Sequence, residues 1–472
     1  MALWGWWKNR GYRFLRIGME EQSQDILLSP KGNTWIAPCP AEAYADLEYR
    51  KPNEIGASQF ALFRKHLRYA AEHSPFYREL FRREGIDVEG LRSPDDIASI
   101  PCTEKGHIAE QNDAFLAVPP ERVVDVCLTS ATTSDTPCAL PQTTEDLARL
   151  AYNEQQAFRM VGMNASHKVM VCAALDRCFM AGLAYFMGGS RLGATMIRAG
   201  AGSAAQHWQT IRLTRPDYIV GVPSLMRHIA EYARDHKEDP KSVGLKKLIA
   251  IGEPCRDGAL QLLPATRKIE DLWQAPIYST YASTEIATAF AECEERCGGH
   301  VRPELVMVEI VDEAGRPVAQ GEKGEVVVTP LGVLGMPLVR FRTGDISYLI
   351  DEPCACGRQS PRLAPILGRK NQMLKYKGTT VFPNAILAAL EGRDDVTGAY
   401  VEAHRDADGG DRIVVCLHCR DSAVSPEQLA EDIRARIRVM PEVELISEAQ
   451  LSEKVYQSGK RKRSTFFDLR DT

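Results

Sequence analysis

The chain has 472 residues, 44% of them hydrophobic and 26% charged, with a formal net charge of −5. That length is more than one hydrophobic core serves, so two or three domains are expected, and the composition is that of a globular chain. The balance of charge argues against a nucleic-acid surface, no apolar run is long enough to span a bilayer, and 13 cysteines without an export signal predict reduced thiols in the cytoplasm, some of them on metal.

In chain order, residues 1–21 carry three tryptophans and several basic residues, but no continuous apolar core and no small-residue cleavage site. This predicts a loosely ordered extension rather than a signal peptide, with a membrane-surface segment as the alternative. "ASQFALFRKHLRYAAEHSPFYRELFRREG" (57–85) places Phe60, Phe63, Leu67, Ala70 and Ala71 at helical spacing, so one amphipathic helix is expected, stopped by Gly85. A short apolar run, residues 123–128, then leads into "TSATTSDTP" (129–137). Its hydroxyls and backbone N–H groups suit phosphate oxygens. It contains no glycine, which close approach of backbone to phosphate normally needs. A phosphate loop and an ordinary polar turn both stay open.

Between residues 147 and 272 helical stretches alternate with "KVMVCAAL", "TMIRAG", "DYIVGV" and "KKLIAIG", a rhythm that predicts a largely parallel sheet flanked by helices. From about Val301 the texture is that of antiparallel strands with glycine turns, "LVMVEIVDEAGRPVAQGEKGEVVVTPL", hence a β-rich subdomain. From about Gly368, "TTVFPNAILAAL", "DRIVVCLHC" and "PEQLAEDIRARIRVM" predict a small α+β lid. The expected fold class is therefore α/β: a large N-terminal domain with mostly parallel sheets flanked by helices plus the β-rich subdomain, and a small C-terminal domain. The expected boundaries are 1–44 for the extension and lead-in, 45–367 for the large domain and 368–472 for the lid.

Four stretches carry candidate chemistry: "YASTE" (281–285), "IGEP" (251–254), "VRFRTGDI" (339–346) and "LGRKNQMLKYKGTTVFP" (367–383). Each alone reads as a cap, a strand exit, a turn or a basic approach to a strand, although a carboxylate such as Asp345 suits two vicinal ribose hydroxyls. In this order, with "HSPFYRELF", "LRSPDDIASIPCTEKGHI" and "CACGRQSPRLAPILGRKNQMLKYKGTTVFPNAI", they resemble the adenylate-forming ligase superfamily, most closely its phenylacetate–coenzyme A ligase branch, from about Ala45 to Arg470.

The resemblance implies an ATP-dependent ligase that forms an acyl-adenylate, here of an aromatic or other planar carboxylic acid, releases pyrophosphate, and passes the acyl group to coenzyme A, a carrier-protein thiol or an amine. It implies that the small domain is mobile. By resemblance, Glu285 is the Mg²⁺ ligand, a hard carboxylate for a hard ion. Thr284 and Tyr281 lie near the α-phosphate, and Gly252 and Glu253 beside the adenine and acyl group. Asp345 accepts from the ribose hydroxyls, and Arg369 is a second ribose or phosphate contact at the hinge. Asn371 stands where relatives usually carry an aspartate. Thr129, Ser130, Thr132 and Thr133 match the phosphate loop, whereas Ala131 and Ser134 replace both of its glycines and Pro137 is displaced by one position. The catalytic lysine is Lys460, which follows Gly459, with Lys462 as the rival counted back from Asp468. Phe179 and Phe186 are candidate walls of the acyl pocket.

"ECEERCGGH" (292–300) and "CACG" (354–357) supply a cysteine–histidine cluster, and some members of the branch hold a structural Zn²⁺ with three cysteines and a histidine. Cys293, His300, Cys354 and Cys356 are the expected ligands, with Cys297 as the rival of Cys293. The expected cofactors are ATP, Mg²⁺, Zn²⁺ and coenzyme A; the expected partners exclude nucleic acid, and a homodimer stays open. The missing loop glycines keep a second function class open, a catalytically weak homologue acting as a binding or partner protein.

Overall fold

A computed structural model of the chain describes residues 36–129, 137–376, 379–391, 393, 395–405, 411–420, 424–437, 439–455 and 464–470. Strands β1 (Asp125–Leu128) and β2 (Ala139–Gln142) form an antiparallel hairpin. Strands β3 (Lys168–Val171), β4 (Thr195–Arg198), β5 (Tyr218–Gly221), β6 (Lys247–Ile251) and β7 (Ile277–Ser283) then lie parallel in the order β4-β3-β5-β6-β7. These include all four runs expected from the sequence. The reason is visible in β5, whose four residues are all buried: a strand covered on both faces needs a continuous apolar run.

The sheet continues antiparallel through β8 (Thr288–Ala291) and β9 (Gly299–His300). Strands β10 (Val306–Val311), β11 (Gly324–Pro330) and β12 (Phe341–Ser347) make the expected antiparallel subdomain. The chain then returns through β13 (Leu349–Ile350) and β14 (Arg362–Leu363), which add to β9 and complete a mixed nine-stranded sheet. Strand β15 (Gly368–Arg369) pairs with β12. After the hairpin β16 (Leu374–Tyr376) and β17 (Thr379–Val381), strands β18 (Val396–Arg405), β19 (Asp411–Cys419), β20 (Glu442–Leu445) and β21 (Phe466–Asp468) form a separate sheet in the order β20-β19-β18-β21. The helices Pro383–Leu390 and Pro426–Ile437 pack on it, and Leu374, Ile386, Val401, Ile413, Val415 and Ile433 share its core.

The single helix expected over 57–85 is two. Pro52–His73 ends at Ser74, and Pro75–Glu84 begins immediately after it. Ser74 precedes a proline, which disfavours helical backbone, and sits at φ −88°, ψ 119°; its hydroxyl accepts from the Tyr77 N–H and caps the second helix. Gly85 stops that helix as expected, at φ +65°. Among the described residues no helix is long and apolar enough to cross a membrane.

Both N-terminal helices enter the largest core cluster, where Phe63, Leu67 and Tyr77 meet Val326, Val328 and Phe341 of the antiparallel subdomain. His66 fastens this join. Its Nε2 lies 3.0 Å from the Leu338 carbonyl and its Nδ1 accepts from the Gly332 N–H at 3.3 Å, which fixes a neutral Nε2–H tautomer. Burial pushes its pKa down to about 4, against the Leu338 bond, which raises it. Between that value and the ordinary 6.5 the unfolded chain takes up a proton that the folded chain refuses. Stability is therefore complete above about pH 6.5 and is lost as the pH falls toward 4, by about 3 kcal/mol in total. Denaturant unfolding from pH 7 to pH 4 should show this loss in the wild type, and His66→Gln should flatten it; an unchanged pH slope contradicts the assignment.

Candidate active site

The strands β6 and β7 deliver most of the site at their carboxyl ends. At the exit of β6, Gly252 turns the chain at φ +72°, a conformation that penalises a side chain. Glu253 then accepts from the Ser224 N–H at 2.8 Å and from its hydroxyl at 2.6 Å. Its carboxylate thus ties the strand exit to the first turn of the helix Pro223–Asp235, where a negative charge is stabilised.

Strand β7 holds Tyr281, whose hydroxyl donates to Asp345 Oδ2 at 2.7 Å. Asp345 is on β12 and sits opposite Arg369 of β15, with Arg369 Nε 3.5 Å from Asp345 Oδ1. Burial, reinforced by Asp345, holds the Tyr281 phenol far above its usual range, so it remains a donor. Tyr281, Asp345 and Arg369, expected from separate motifs, are brought together. Thr284 and Glu285 occupy the turn after β7. That turn is closed by the Ile286 N–H donating to Ser283 Oγ, and Ala287 follows at φ +48°.

Two residues that the sequence reading did not single out support this turn. Arg149, fully buried on the helix Thr144–Met160, donates to Thr288 Oγ1 and the Leu331 carbonyl, each at 2.8 Å, and to the carbonyls of Ala287 and Leu305. It therefore binds the turn to the ends of β10 and β11. Lys105 places its ammonium 3.7 Å from Glu285 Oε1, with the two side chains only 17% and 12% exposed. A signal for Lys105 existed in the sequence. It is the first residue of the helix Lys105–Gln111, where a positive charge opposes the helix dipole and calls for another reason to be there.

Thr129 is buried at the end of β1, where its hydroxyl accepts from the Cys138 N–H at 3.0 Å and its own N–H donates to the Cys138 carbonyl. It anchors the base of the hydroxyl-rich loop. Ser130, Thr132 and Thr133, like Lys460 and Lys462, lie outside the described residues. Phe179 and Phe186 are partly buried against different core clusters. Phe179 packs against the cluster of Phe158, Tyr185 and Ile249, whereas Phe186 packs against the largest core cluster and lies under the Arg198 guanidinium at 5.5 Å.

The cysteine–histidine cluster assembles beyond β8. One ligand atom each from Cys293, His300, Cys354 and Cys356 lies within 4.8 Å of all the others. The Cys293 and Cys354 sulfurs are 3.7 Å apart, and His300 Nε2 is 3.4 Å from Cys293 Sγ and 3.6 Å from Cys356 Sγ. A tetrahedral Zn²⁺ with ordinary bonds requires edges of about 3.8 Å between sulfurs and about 3.6 Å between sulfur and nitrogen, so the four residues fit that ion. Burial, with help from Arg358, Arg362 and Arg302, pushes His300 down to about 3, leaving a neutral imidazole with a lone pair to give. Gly298, at φ +101°, permits the approach of this loop to β14, because a Cβ there would press on the Leu363 carbonyl and Ile350. Cys297 lies outside the tetrahedron: its sulfur is 3.7 Å from Cys354 Sγ but is bound by Arg362 Nη1 at 2.7 Å. The cluster joins the site through Glu292, beside Cys293, which accepts from Arg256 at 2.6 Å and from the Ser279 N–H of β7 at 2.9 Å.

Residues 78–335 match the AMP-binding enzyme family. The phenylacetate-coenzyme A ligase of Thermus thermophilus is 30% identical over 361 residues, covering 75% of this chain and 79% of that protein. The enzyme of the same name from Escherichia coli is 29% identical over 351 residues, covering 72% of this chain and 77% of that protein. Among solved structures, a 2-hydroxyisobutyryl-CoA ligase in the post-adenylation state shares the fold with a TM-score of 0.79 at 24% identity, covering 90% of this chain and 91% of that one. The matched family segment starts in the second N-terminal helix and contains β1 to β11, the parallel sheet and the turn bearing Glu285. The chain belongs to the AMP-binding enzyme family and is similar to its phenylacetate-coenzyme A ligases.

Proposed function

We propose that the protein joins a carboxylic acid to ATP, forming an acyl-adenylate and pyrophosphate, and then transfers the acyl group to the thiol of coenzyme A with release of AMP. Its likeness to phenylacetate-coenzyme A ligases favours an aromatic acid. The observation that carries this reading is the convergence of Tyr281, Asp345 and Arg369 beside the Glu285 turn. A carboxylate oxygen must attack the α-phosphorus in line while the bond to pyrophosphate breaks, and both partners are anionic, so positioning and charge neutralisation decide the rate. Asp345 is the acceptor for the ribose hydroxyls, and Arg369 is the adjacent cation for ribose or phosphate. Glu285, a hard and nearly buried carboxylate, would hold Mg²⁺, which neutralises phosphate charge when bound. The Lys105 ammonium, 3.7 Å from Glu285 Oε1, adds positive charge on the same side.

Glu285→Gln should therefore lower acid-dependent pyrophosphate release by about 10²-fold and raise the Mg²⁺ concentration required, because one ligand charge is lost. Lys105→Ala should do less, by about tenfold. A Mg²⁺ titration that is identical in wild type and Glu285→Gln removes Glu285 from this role.

The acceptor is tested by offering coenzyme A, a phosphopantetheinyl carrier protein and simple amines to protein preloaded with acid and ATP. Thioester formation with coenzyme A is expected; product formed only with a carrier protein or an amine reassigns the second half-reaction. Cys293, His300, Cys354 and Cys356 would hold one Zn²⁺, which ties the loop after β8 to the turn before β14 and so steadies β7 through Glu292 and Ser279.

A further inference from the structure

The cysteine cluster holds one thiol more than a tetrahedral ion takes. Cys293, Cys354 and Cys356 with His300 complete the ligand set, and Cys297 remains. Cys293, His300 and Cys354 are buried, whereas Cys297, like the ligand Cys356, is partly exposed. Its sulfur lies 3.7 Å from Cys354 Sγ, as close as the Cys293 sulfur lies to it. Arg362 binds both the sulfur and the carbonyl of Cys297, each at 2.7 Å, which holds the thiol beside Cys354 instead of letting it swing into solvent.

We propose that Cys297 is an oxidation site through which a peroxide ejects the metal, by forming a Cys297–Cys354 disulfide. This rests on the zinc reading above. The Cys297 sulfur attacks one peroxide oxygen, the O–O bond breaks, and the thiol proton leaves with the departing hydroxide as water, so that Cys297 becomes a sulfenic acid. The Cys354 thiolate then attacks that sulfur, the S–S bond forms, and the S–O bond breaks to release hydroxide. Two electrons pass from the sulfur pair to peroxide. The ion is left with Cys293, Cys356 and His300.

The consequence reaches the active site. The metal ties the chain beyond β8 to the turn before β14, and Glu292, next to Cys293, receives the Ser279 N–H of β7. Loss of the metal therefore loosens the strand that presents Tyr281 and Glu285.

The test treats the full-length zinc-loaded protein with hydrogen peroxide, follows zinc with a colorimetric chelator, and maps peptides by mass without reduction. Wild type is expected to release its zinc and to yield a peptide pair joining Cys297 to Cys354, both reversed by dithiothreitol with added zinc. Cys297→Ser and Cys297→Ala should retain one zinc as prepared and release it at least about tenfold more slowly. Equal release rates in wild type and both variants overturn the proposal, as does a pair joining Cys293 to Cys354. Variants that lack zinc before oxidation make Cys297 a ligand and also overturn it. Untreated wild type without zinc overturns the metal reading instead; the peptide map then judges the thiol pair by itself, and a map without the Cys297–Cys354 link overturns that as well.

Discussion

Lys460→Ala is expected to lower acyl-adenylate formation by about 10²-fold or more, the scale of losing one well-placed donor to transition-state charge. Adenylation brings the negative α-phosphate and the incoming carboxylate together, and an ammonium bridging them stabilises that charge chiefly in the transition state. ATP binding, which precedes this charge build-up, should be spared. So should transfer from chemically prepared acyl-adenylate to coenzyme A, because by family resemblance that step uses another orientation of the small domain, reached by rotation near Asn371. Lys462→Ala should do less. The segment that contains both lysines lies outside the described residues, so the choice rests on Gly459 preceding Lys460. Single-turnover adenylation separates the two. A damaging Lys462→Ala with a silent Lys460→Ala reverses the assignment, and two silent variants of an active enzyme leave the tail a solvated basic face.

Cys354→Ser carries the second large effect. Cys354 is buried, with its sulfur 3.7 Å from the sulfurs of both Cys293 and Cys297. A serine hydroxyl is a poor zinc ligand and removes one corner of the tetrahedron. Bound zinc should fall from about one per chain to none, and folding stability by about 4 kcal/mol or more, since metal binding energy is folding energy for the loops it joins. Any change in the KM for ATP should be secondary to these losses, because Cys354 touches none of Tyr281, Asp345 and Arg369 and loss of the metal reaches β7 only through Glu292 and Ser279. Metal analysis of protein prepared without chelator, alongside denaturant unfolding, checks both parts. A wild type without zinc, or a variant that keeps it, contradicts the assignment.

The parallel strands were legible because burial on both faces leaves only one kind of sequence, as in "DYIVGV" and "KKLIAIG". The helix break at Ser74 was legible too, from the proline after it, but the apolar spacing of Phe60, Phe63 and Leu67 masked it. The site was legible only through the order of its motifs. Tyr281 and Asp345 are 64 residues apart, and no local rule says that β7 and β12 meet. Glu253 could not be assigned to the cap of the Pro223–Asp235 helix from "IGEP" alone, because its partner Ser224 is 29 residues upstream. Spacing could not separate Cys293 from Cys297 either; the choice depends on Arg362, 65 residues from Cys297, which occupies the Cys297 sulfur. Arg149 is invisible to pattern, since a buried arginine looks like any charge on a helix until its carbonyl partners are known.

Acid-dependent pyrophosphate release, with the acyl-adenylate identified by mass, tests the central claim most directly. The zinc-loaded protein is given ATP, Mg²⁺ and a panel of aromatic and aliphatic carboxylic acids. At least one acid, expected among the aromatic ones, should release pyrophosphate in step with an acyl-AMP of matching mass, and Glu285→Gln should suppress both. A folded protein that binds ATP yet releases no pyrophosphate with any acid contradicts the account and makes the chain a binding protein built on the ligase fold.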